Sequence, residues 1–531
     1  MVIFVESVKK AQTLSSFLPS SWTVIPTYGH FMYYTGRVFR SSPEIECEWR
    51  VRAGYGQIRD QIASYKTKRD IIVASDPDAE GELIAYHISR TLGDKNVRRI
   101  KLHAVTPSEF KRALEKSAEI SMAMVRSAIV RTVCDYHIGM VLSRKVGSSA
   151  GRLQVAMMHL INQKEAEKHG LMCRGFAFAK ARNLLQTDVK YKLSYLSKER
   201  RILQAPAPLI TGTAMFAAHR IFGISPMKTA NVLQDLYTSG KITYPRTDCK
   251  WISPEGLQMA KDFIQQISED LIDSRQFDVP GHHECIRPTT APSPFQVSSQ
   301  DNAEKIVYGF ISSFFFASQC RPAQGNMYKG ISGEDLEIEF FLPENKGFLK
   351  IFETFNLPYP LNNVSYYVPE FIVPLRITGG NDPDIHHSMG SLILEMSEKG
   401  IGRPSTFAYG LDRLIENGYV SFKSTRSPLI LTDLGKSVME RSIEMYPFLG
   451  SESWQSELEK LFKEIAFMDD ENSRRSSIKV YEQICDLMDS SSGNSRSIKY
   501  NNENRLEETC QPTKLEEDLT ITPTANSTIA R

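Results

Sequence analysis

Apolar strands and amphipathic helices alternate over the first hundred residues. The apolar segment VIFVES predicts a strand that ends in Glu6, and the helical pattern VKKAQTLSSFL follows it. A second apolar strand, RDIIVASD, ends at Asp76 and precedes ELIAYHISRTLG, which has the pattern of a helix closed by Gly93. Such alternation indicates a parallel α/β sheet, in which polar sites lie at the carboxyl ends of the strands. Both Glu6 and Asp76 lie at such ends.

The remaining chain divides into helical and strand-like blocks. Residues from about 106 to 168 are mainly helical, and TPSEFKRAL carries a helix-start pattern at Thr106. Hydrophobic periodicity predicts two strand-like and two helical blocks after it: strands at 171–205 and 325–384, helices at 211–324 and 385–487. Beyond about residue 490 the composition is rich in Ser, Asn, Thr and Glu, which predicts a disordered tail.

Composition and charge indicate an ordinary globular protein of several domains. The 531 residues carry a formal charge of +2, so a DNA-binding groove would need a local concentration of Arg and Lys. The segment closest to a membrane span, GFISSFFFASQC, is short and contains serines, so a buried helix is expected. The eight cysteines include no CxxC pair, and the first residues have no signal-peptide core. We therefore expect a cytoplasmic protein without zinc sites, disulfides or membrane contact.

The segment SDPDAEGE at the end of the second strand contains four carboxylates: Asp76, Asp78, Glu80 and Glu82. A charge run of this kind is most often a solvated surface. Here it follows a buried strand, so its carboxylates and Glu6 are expected to repel one another unless a cation lies among them. Mg²⁺ prefers such oxygen ligands. ATP chemistry is not supported, because LGKS at 434–437 lacks the first glycine of a P-loop.

Seven segments along the chain together resemble the conserved motifs of type IA DNA topoisomerases. They are VESVKKAQTL near the start, YGHF at 28–31, SDPDAEGELIAYHI, SSAGRLQ at 148–154, KITYPRTD at 241–248, HHECIRPT at 282–289 and EKGIGRPSTFA at 398–408. Each match is weak by itself, whereas seven matches in the family's order are specific. The resemblance covers about residues 1–485.

The resemblance implies a multidomain fold, α/β plus α-helical, arranged as a toroid. Its implied parts are a TOPRIM parallel α/β metal-binding domain at 1–118, a helical base domain at 119–170 and 385–487, a strand-rich β-containing arch at 171–210 and 325–384, a helical domain with the nucleophilic tyrosine at 211–324, and a disordered tail at 488–531. The implied activity is Mg²⁺-dependent, ATP-independent relaxation of negatively supercoiled DNA by a monomer.

The resemblance assigns strand cleavage to KITYPRTD. We hypothesise that Tyr244 attacks a backbone phosphorus, which gives a 5′-phosphotyrosyl link and a free 3′-hydroxyl. Arg246 is expected to stabilise the charge that develops on the phosphate. Glu6 is implied as the proton donor to the leaving 3′-oxygen, and Lys10 is either a cation beside the phosphate or a solvated lysine. The implied Mg²⁺ ligands are Glu6, Asp76, Asp78 and Glu80.

The motifs also mark candidate DNA contacts, many of them arginines or hydroxyls that can bind phosphates. They are His30, Arg131, Asp135, Ser149, Ala150, Gly151, Arg152, Leu153, Gln154, His283, Arg287, Arg403, Ser405 and Thr406. As single residues each would more often be structural. The resemblance implies salt-sensitive binding that favours single-stranded or negatively supercoiled DNA.

Departures from the motifs leave two other functions open. Ala79 stands where the metal motif normally has arginine, and Val8, Thr132 and Cys285 also depart from the usual residues. The zinc modules common at the C-terminus of bacterial relatives are not expected here, so cleavage and rejoining are safer predictions than processive relaxation. The alternatives are a topoisomerase III-like enzyme that separates linked single-stranded DNA and a catalytically weakened DNA-binding toroid.

Overall fold

The computed structural model of the protein describes residues 1–39, 44–68, 70–167, 193–281, 283–292, 301–332, 337–357, 376–378, 386–425 and 427–490. Residues Met1–Asp489 form one compact unit. The division of this unit into the domains named above stays a prediction. The predicted tail lies outside the described residues from 491 onwards, as do parts of the predicted arch.

A parallel sheet forms the N-terminal part of the described chain. Its strands follow the order β2–β1–β5–β6, with β1 Val2–Val5, β2 Thr23–Pro26, β5 Ile71–Val73 and β6 Arg98–Arg99. Its helices are α1 Val8–Ser15, α2 Gly56–Ala63 and α3 Ala79–Thr91. Strand β1 is buried on both faces, because Ile3 and Val5 pack into one hydrophobic cluster while Val2 and Phe4 pack into another. The predicted parallel α/β sheet is confirmed.

The helices after the sheet begin where the sequence indicates. Helix α4 spans Pro107–Glu115, and the Thr106 hydroxyl accepts a hydrogen bond from the Glu109 amide at its start. Helices α5 (Met122–Val146) and α6 (Arg152–Glu167) follow. An antiparallel hairpin, β3 Met32–Phe39 and β4 Glu46–Val51, packs against α5.

A second sheet is antiparallel, with the strand order β10–β9–β8–β7 among the described residues. The strands are β7 Leu193–Leu203, β8 Ala323–Ser332, β9 Glu337–Asn345 and β10 Arg376–Thr378. The prediction of strands throughout 325–384 was wrong for Leu349–Thr354, which form helix α11. Phe348, Phe352 and Phe355 recur at helical spacing and are all buried, so a helical period was present in this block.

The other helices fall in the two blocks predicted to be helical. They are α7 Thr211–Phe222, α8 Pro226–Thr238, α9 Pro254–Ile267, α10 Ala303–Ala317, α12 Met389–Lys399, α13 Phe407–Glu416, α14 Asp433–Met445, α15 Glu452–Ile465 and α16 Asp470–Ser490, with 3₁₀ turns at Glu269–Leu271 and Pro447–Gly450 and short strands β11 Val420–Ser421 and β12 Ile430–Leu431. One hydrophobic cluster joins α5 and α6 to α12–α16. Helix α10 is largely buried, as predicted for GFISSFFFASQC. Within the described ranges, no helix combines the length and the apolar character that crossing a membrane requires.

Candidate active site

Tyr244 lies directly against the acidic turn that follows β5. Its hydroxyl donates a 2.5 Å hydrogen bond to Oδ2 of Asp78, and the side chain is 1% exposed. Backbone hydrogen bonds fix the segment around it: the Tyr244 amide donates to the His103 carbonyl, and the Thr243 amide donates to the Arg287 carbonyl. Two predicted motifs that are 166 residues apart in the sequence therefore meet through one hydrogen bond.

Arg246 faces the same carboxylates. Its Nη1 lies 3.8 Å from Oδ2 of Asp78 and 4.0 Å from Oδ2 of Asp76. The turn that carries Tyr244 and Arg246 is held from below by α7, because the Thr211 hydroxyl donates to the Pro245 carbonyl at 2.6 Å. A guanidinium charge is thereby kept next to two carboxylates that would otherwise repel each other.

Lys10 joins the ends of the two central strands. Its Nζ lies 3.0 Å from Oε1 of Glu6 and 3.2 Å from Oδ1 of Asp76, and its side chain is completely buried. Burial, together with the charge of Asp76, raises the pKa of Glu6 to about 8. Burial also disfavours ionisation of Asp76, but Lys10 and Arg246 outweigh it and hold the Asp76 pKa below its usual value. Glu6 is therefore the more weakly acidic member of the pair.

The acidic turn is shaped by backbone contacts. Oδ1 of Asp78 accepts the Gly81 amide at 2.8 Å and so caps α3. Arg99 donates to the carbonyl of Asp76 at 2.6 Å, although its position in the sequence gave no functional signal. A Cβ on Gly81 would lie 2.0 Å from the Asp76 carbonyl oxygen, so this helix position requires glycine.

We expect Gly81→Ala to lower the free energy of unfolding by about 3 kcal/mol, because the new methyl would collide with fixed backbone. The shift in thermal unfolding temperature measures it. Gly56→Ala is the matched control in helix α2, since a Cβ there meets no atom within 4 Å. Equal unfolding temperatures for the two variants would contradict the close contact between α3 and Asp76.

The acidic run does not point all its carboxylates at one place. Glu82 was expected to add an oxygen to the cluster, but it is fully buried and paired with Arg99 at 3.1 Å and Lys101 at 3.2 Å. Helical geometry explains this, because Glu82 lies in the first turn of α3 and faces the protein interior. Glu80 pairs with His30 at 2.9 Å. Burial raises the Glu80 pKa, but the hydrogen bond from His30 contributes to a net lowering.

The protein itself supplies the cations that the acidic cluster needs. No three His, Cys, Asp or Glu side chains are arranged as a metal site among the residues that the structure describes. The donor set nevertheless fits Mg²⁺, because Oδ2 of Asp76 and Oδ2 of Asp78 both face Nη1 of Arg246 within 4.0 Å. Arg246 and the Tyr244 hydroxyl engage the oxygens that a metal ion would use.

Two protein-family models match this chain. A family model described as DNA topoisomerase matches residues 177–474, which is more than half of the chain. The chain belongs to the type IA DNA topoisomerases. A Toprim domain model matches residues 1–105, slightly less than the predicted 1–118.

Relatives of two kinds resemble this topoisomerase. It is 31% identical over 459 residues to reverse gyrase 1 of Sulfurisphaera tokodaii, covering 79% of this chain but 37% of that protein. It is 28% identical over 526 residues to DNA topoisomerase 1 of Thermotoga maritima, covering 87% and 81% of the two chains. The chain thus spans well under half of the reverse gyrase.

The predicted fold class is confirmed by a solved structure. Full-length topoisomerase I from Thermotoga maritima matches with a TM-score of 0.72 at 24% identity, covering 92% of this chain and 90% of that one. The chain, with its parallel TOPRIM sheet and its helical blocks, therefore has the fold of topoisomerase I.

A second polar site in this topoisomerase, here called the guanidinium cluster, consists of Arg131, Arg152 and Arg403 bound to Glu459. Arg131 Nη2 binds both carboxylate oxygens of Glu459. Arg152 Nη2 donates to Oε1 at 3.0 Å, and Arg403 Nε donates to Oε2 at 2.9 Å. Asp135 accepts from Arg152 Nε at 2.8 Å. Three predicted DNA contacts therefore meet at the Glu459 carboxylate, which no motif indicated, and a fourth, Asp135, joins them through Arg152.

The remaining predicted DNA residues of the topoisomerase are spread over several elements. The His283 ring lies 5.0 Å from the Tyr244 ring. Arg287 is placed differently from a DNA contact: its guanidinium donates to Glu284 at 2.7 Å and to Ser253 at 3.0 Å, and the residue is 9% exposed. In this arrangement Arg287 supports the Tyr244 segment, and its DNA contact stays a prediction.

The SSAGRLQ turn and the GRPST loop border the guanidinium cluster. The Ala150 amide donates to the Ser143 hydroxyl, and the Ser149 carbonyl accepts from the Tyr419 hydroxyl. The Thr406 hydroxyl accepts the Arg403 amide at 3.0 Å, which fixes the loop that carries the arginine. The other candidates here differ in exposure, with Gly151, Leu153 and Gln154 half-buried and Ser405 exposed.

Proposed function

We propose that the chain cuts one DNA strand with Tyr244, passes a strand through the break and rejoins the ends, so that negatively supercoiled DNA is relaxed without ATP. The observation that carries this proposal is the 2.5 Å hydrogen bond between the Tyr244 hydroxyl and Asp78 at the acidic turn. It brings a nucleophile to the carboxylates and cations that phosphoryl transfer requires.

In cleavage, a bond forms between Tyr244 Oη and phosphorus, and the bond from phosphorus to the 3′-oxygen breaks. Burial, followed by the charges of Asp78 and Asp76, raises the Tyr244 pKa well above its ordinary value, so the phenol stays neutral until it attacks. Asp78 already accepts the phenolic hydrogen, which gives the proton a route away from Oη. The covalent link preserves the energy of the phosphodiester, so rejoining requires no nucleotide.

Arg246 and Glu6 have the complementary roles in this proposal. The Arg246 side chain is 37% exposed and lies next to Asp78, the partner of the Tyr244 hydroxyl. It offers N–H donors to the phosphate as negative charge develops there. Glu6, whose pKa is raised by burial and by the charge of Asp76, is the proposed proton donor to the leaving 3′-oxygen. Lys10 holds Glu6 and Asp76 together at this point.

DNA can reach Tyr244 after the Tyr244 segment moves away from the acidic turn, because the side chain is 1% exposed as it stands. Asp76 and Asp78 would then hold Mg²⁺, with Glu6 and Glu80 as further candidate ligands. Bound there, Mg²⁺ supplies positive charge that orients the phosphate and the 3′-hydroxyl for rejoining.

We expect relaxation of negatively supercoiled plasmid in the presence of Mg²⁺ and its loss when the metal is chelated. Gel electrophoresis of negatively and positively supercoiled plasmids measures the preference, and denaturant trapping of protein–DNA adducts measures cleavage. Chelation that leaves both cleavage and rejoining unchanged would contradict the metal site. Faster decatenation than relaxation would indicate the topoisomerase III-like alternative, and the absence of an adduct would indicate a DNA-binding protein.

A further inference from the structure

Glu459 on α15 is the centre of the guanidinium cluster and has no role in the chemistry described above. The residue is 5% exposed, and three guanidinium groups approach its two oxygens in the described part of the chain. Burial disfavours its ionisation, but the charges of Arg131, Arg152 and Arg403 hold its pKa down to about 2. Glu459 is therefore a permanent anion at the cluster's core.

The cluster has a buried side and an open side. Arg152 is 3% exposed, whereas the side chains of Arg131 and Arg403 are 15% and 25% exposed. Within the described residues, Nη1 of Arg131 and Nη1 of Arg403 have no hydrogen-bond partner. These two nitrogens are donors that the protein leaves for another acceptor.

The open side of the cluster lies near the candidate active site. The positive charge of Arg403 contributes to the lowered pKa of Asp248, which lies two residues after Arg246 in the tyrosine motif. A direct contact supports this placement, because Lys463, one turn after Glu459 on α15, lies 2.8 Å from Oδ2 of Asp248. Helix α15 thus reaches the segment that carries Tyr244.

Charge balance favours a phosphate as the missing acceptor. Three arginines against Glu459 and Asp135 leave one excess positive charge. Without Glu459 the three cations would repel one another and spread, whereas bound to its two oxygens they hold a fixed geometry. A fixed pair of donors suits one backbone phosphate.

We propose that Glu459 is a positioning residue for strand cleavage: it fixes Arg131 and Arg403 so that their free donors hold a DNA phosphate in register with Tyr244. This inference rests on the proposed function. A positioning role can be distinguished from a general DNA-binding role. Removing the Glu459 charge adds net positive charge to the cluster, but it also releases the arginines from their fixed positions.

Glu459→Gln separates binding from positioning. We expect the full-length variant to bind a labelled single-stranded oligonucleotide, in chelator, at least as tightly as the parent. At saturating oligonucleotide with Mg²⁺, we expect covalent adduct to form about 10- to 100-fold more slowly, because the phosphate is misplaced. Glu457→Gln is the matched control on the same helix, since Glu457 is exposed, and it should behave as the parent in both measurements.

Glu459→Asp keeps the charge but withdraws the carboxylate by one methylene, so it should bind normally and form adduct at an intermediate rate. It decides the matter if Glu459→Gln does not fold. Adduct formation at the parental rate in the folded variant, or equal losses of binding and cleavage, would overturn the positioning role. A parent chain that forms no adduct at all overturns the proposed function first, and this inference with it.

Discussion

Tyr244→Phe is expected to form no covalent DNA adduct, with cleavage reduced on the order of 10⁶-fold, as for deletion of other covalent nucleophiles. The phenyl ring keeps its contacts with Tyr237 and His283, so the segment should stay in place. Loss of the hydrogen bond to Asp78 should lower the free energy of unfolding by about 1–3 kcal/mol. Asp78 should stay in place, because its other carboxylate oxygen still accepts the Gly81 amide. Denaturing gels of protein with end-labelled single-stranded DNA measure the adduct.

The control is Tyr237→Phe, which removes a hydroxyl from the neighbouring buried tyrosine. Tyr237 donates to the Leu102 carbonyl at 2.6 Å, and its ring lies 5.2 Å from that of Tyr244. This variant loses a buried hydrogen bond of similar size but keeps the Tyr244 hydroxyl, so adduct should still form. Adduct in Tyr244→Phe, or none in Tyr237→Phe at full folding, would show that Tyr244 is not the nucleophile.

Local signals in the sequence predicted much of the N-terminal fold. The strands at VIFV and IIV were recognisable because both faces are buried and the residues are apolar throughout. The helix start at Thr106 was recognisable because capping uses neighbouring residues. Glu6 and Asp76 were correctly predicted to lie together, because each follows a strand and adjacent parallel strands end at the same edge of the sheet.

Contacts between distant segments could not be predicted in the same way. Glu459 meets Arg131 across 328 residues, and nothing beside it in the sequence signals that partner. One hint was present: Glu459 follows Leu458 on an amphipathic helix, where a carboxylate among buried residues needs a cation. Glu82 was misplaced for a related reason, since spacing within a run does not say which helix face turns inward.

The burial of Lys10 changes how the acidic site is understood. The sequence left Lys10 as a catalytic cation or a solvated lysine, and its side chain is fully buried between two carboxylates. In this structure, Lys10 and Arg246 supply the positive charge that the carboxylate cluster was expected to need from a cation. In the opening proposed above, Arg246 would move with the Tyr244 segment, whereas Lys10 would stay with the sheet, because it lies on α1 next to β1.

Lys10→Met should therefore destabilise the parallel sheet by about 3–5 kcal/mol, the cost of breaking a buried ion pair by removing one partner. Asp76 would lose its closest cation, and Glu6 and Asp76 would face each other with less compensation. Hydrogen exchange of the β1 and β5 amides in increasing urea measures the local free energy of unfolding. Adduct formation should fall as well, since Asp76 and Glu6 lose their fixed positions.

The adjacent lysine provides the control for this prediction. Lys9 is 41% exposed and pairs with Asp235, itself 59% exposed, at 3.3 Å. Such a surface pair contributes less than about 1 kcal/mol, so Lys9→Met should leave exchange in β1 and β5 nearly unchanged. The same substitution at neighbouring positions thus compares a buried cation with a solvated one on one helix. Similar exchange in the two variants would mean that Lys10 does not hold the ends of β1 and β5 together.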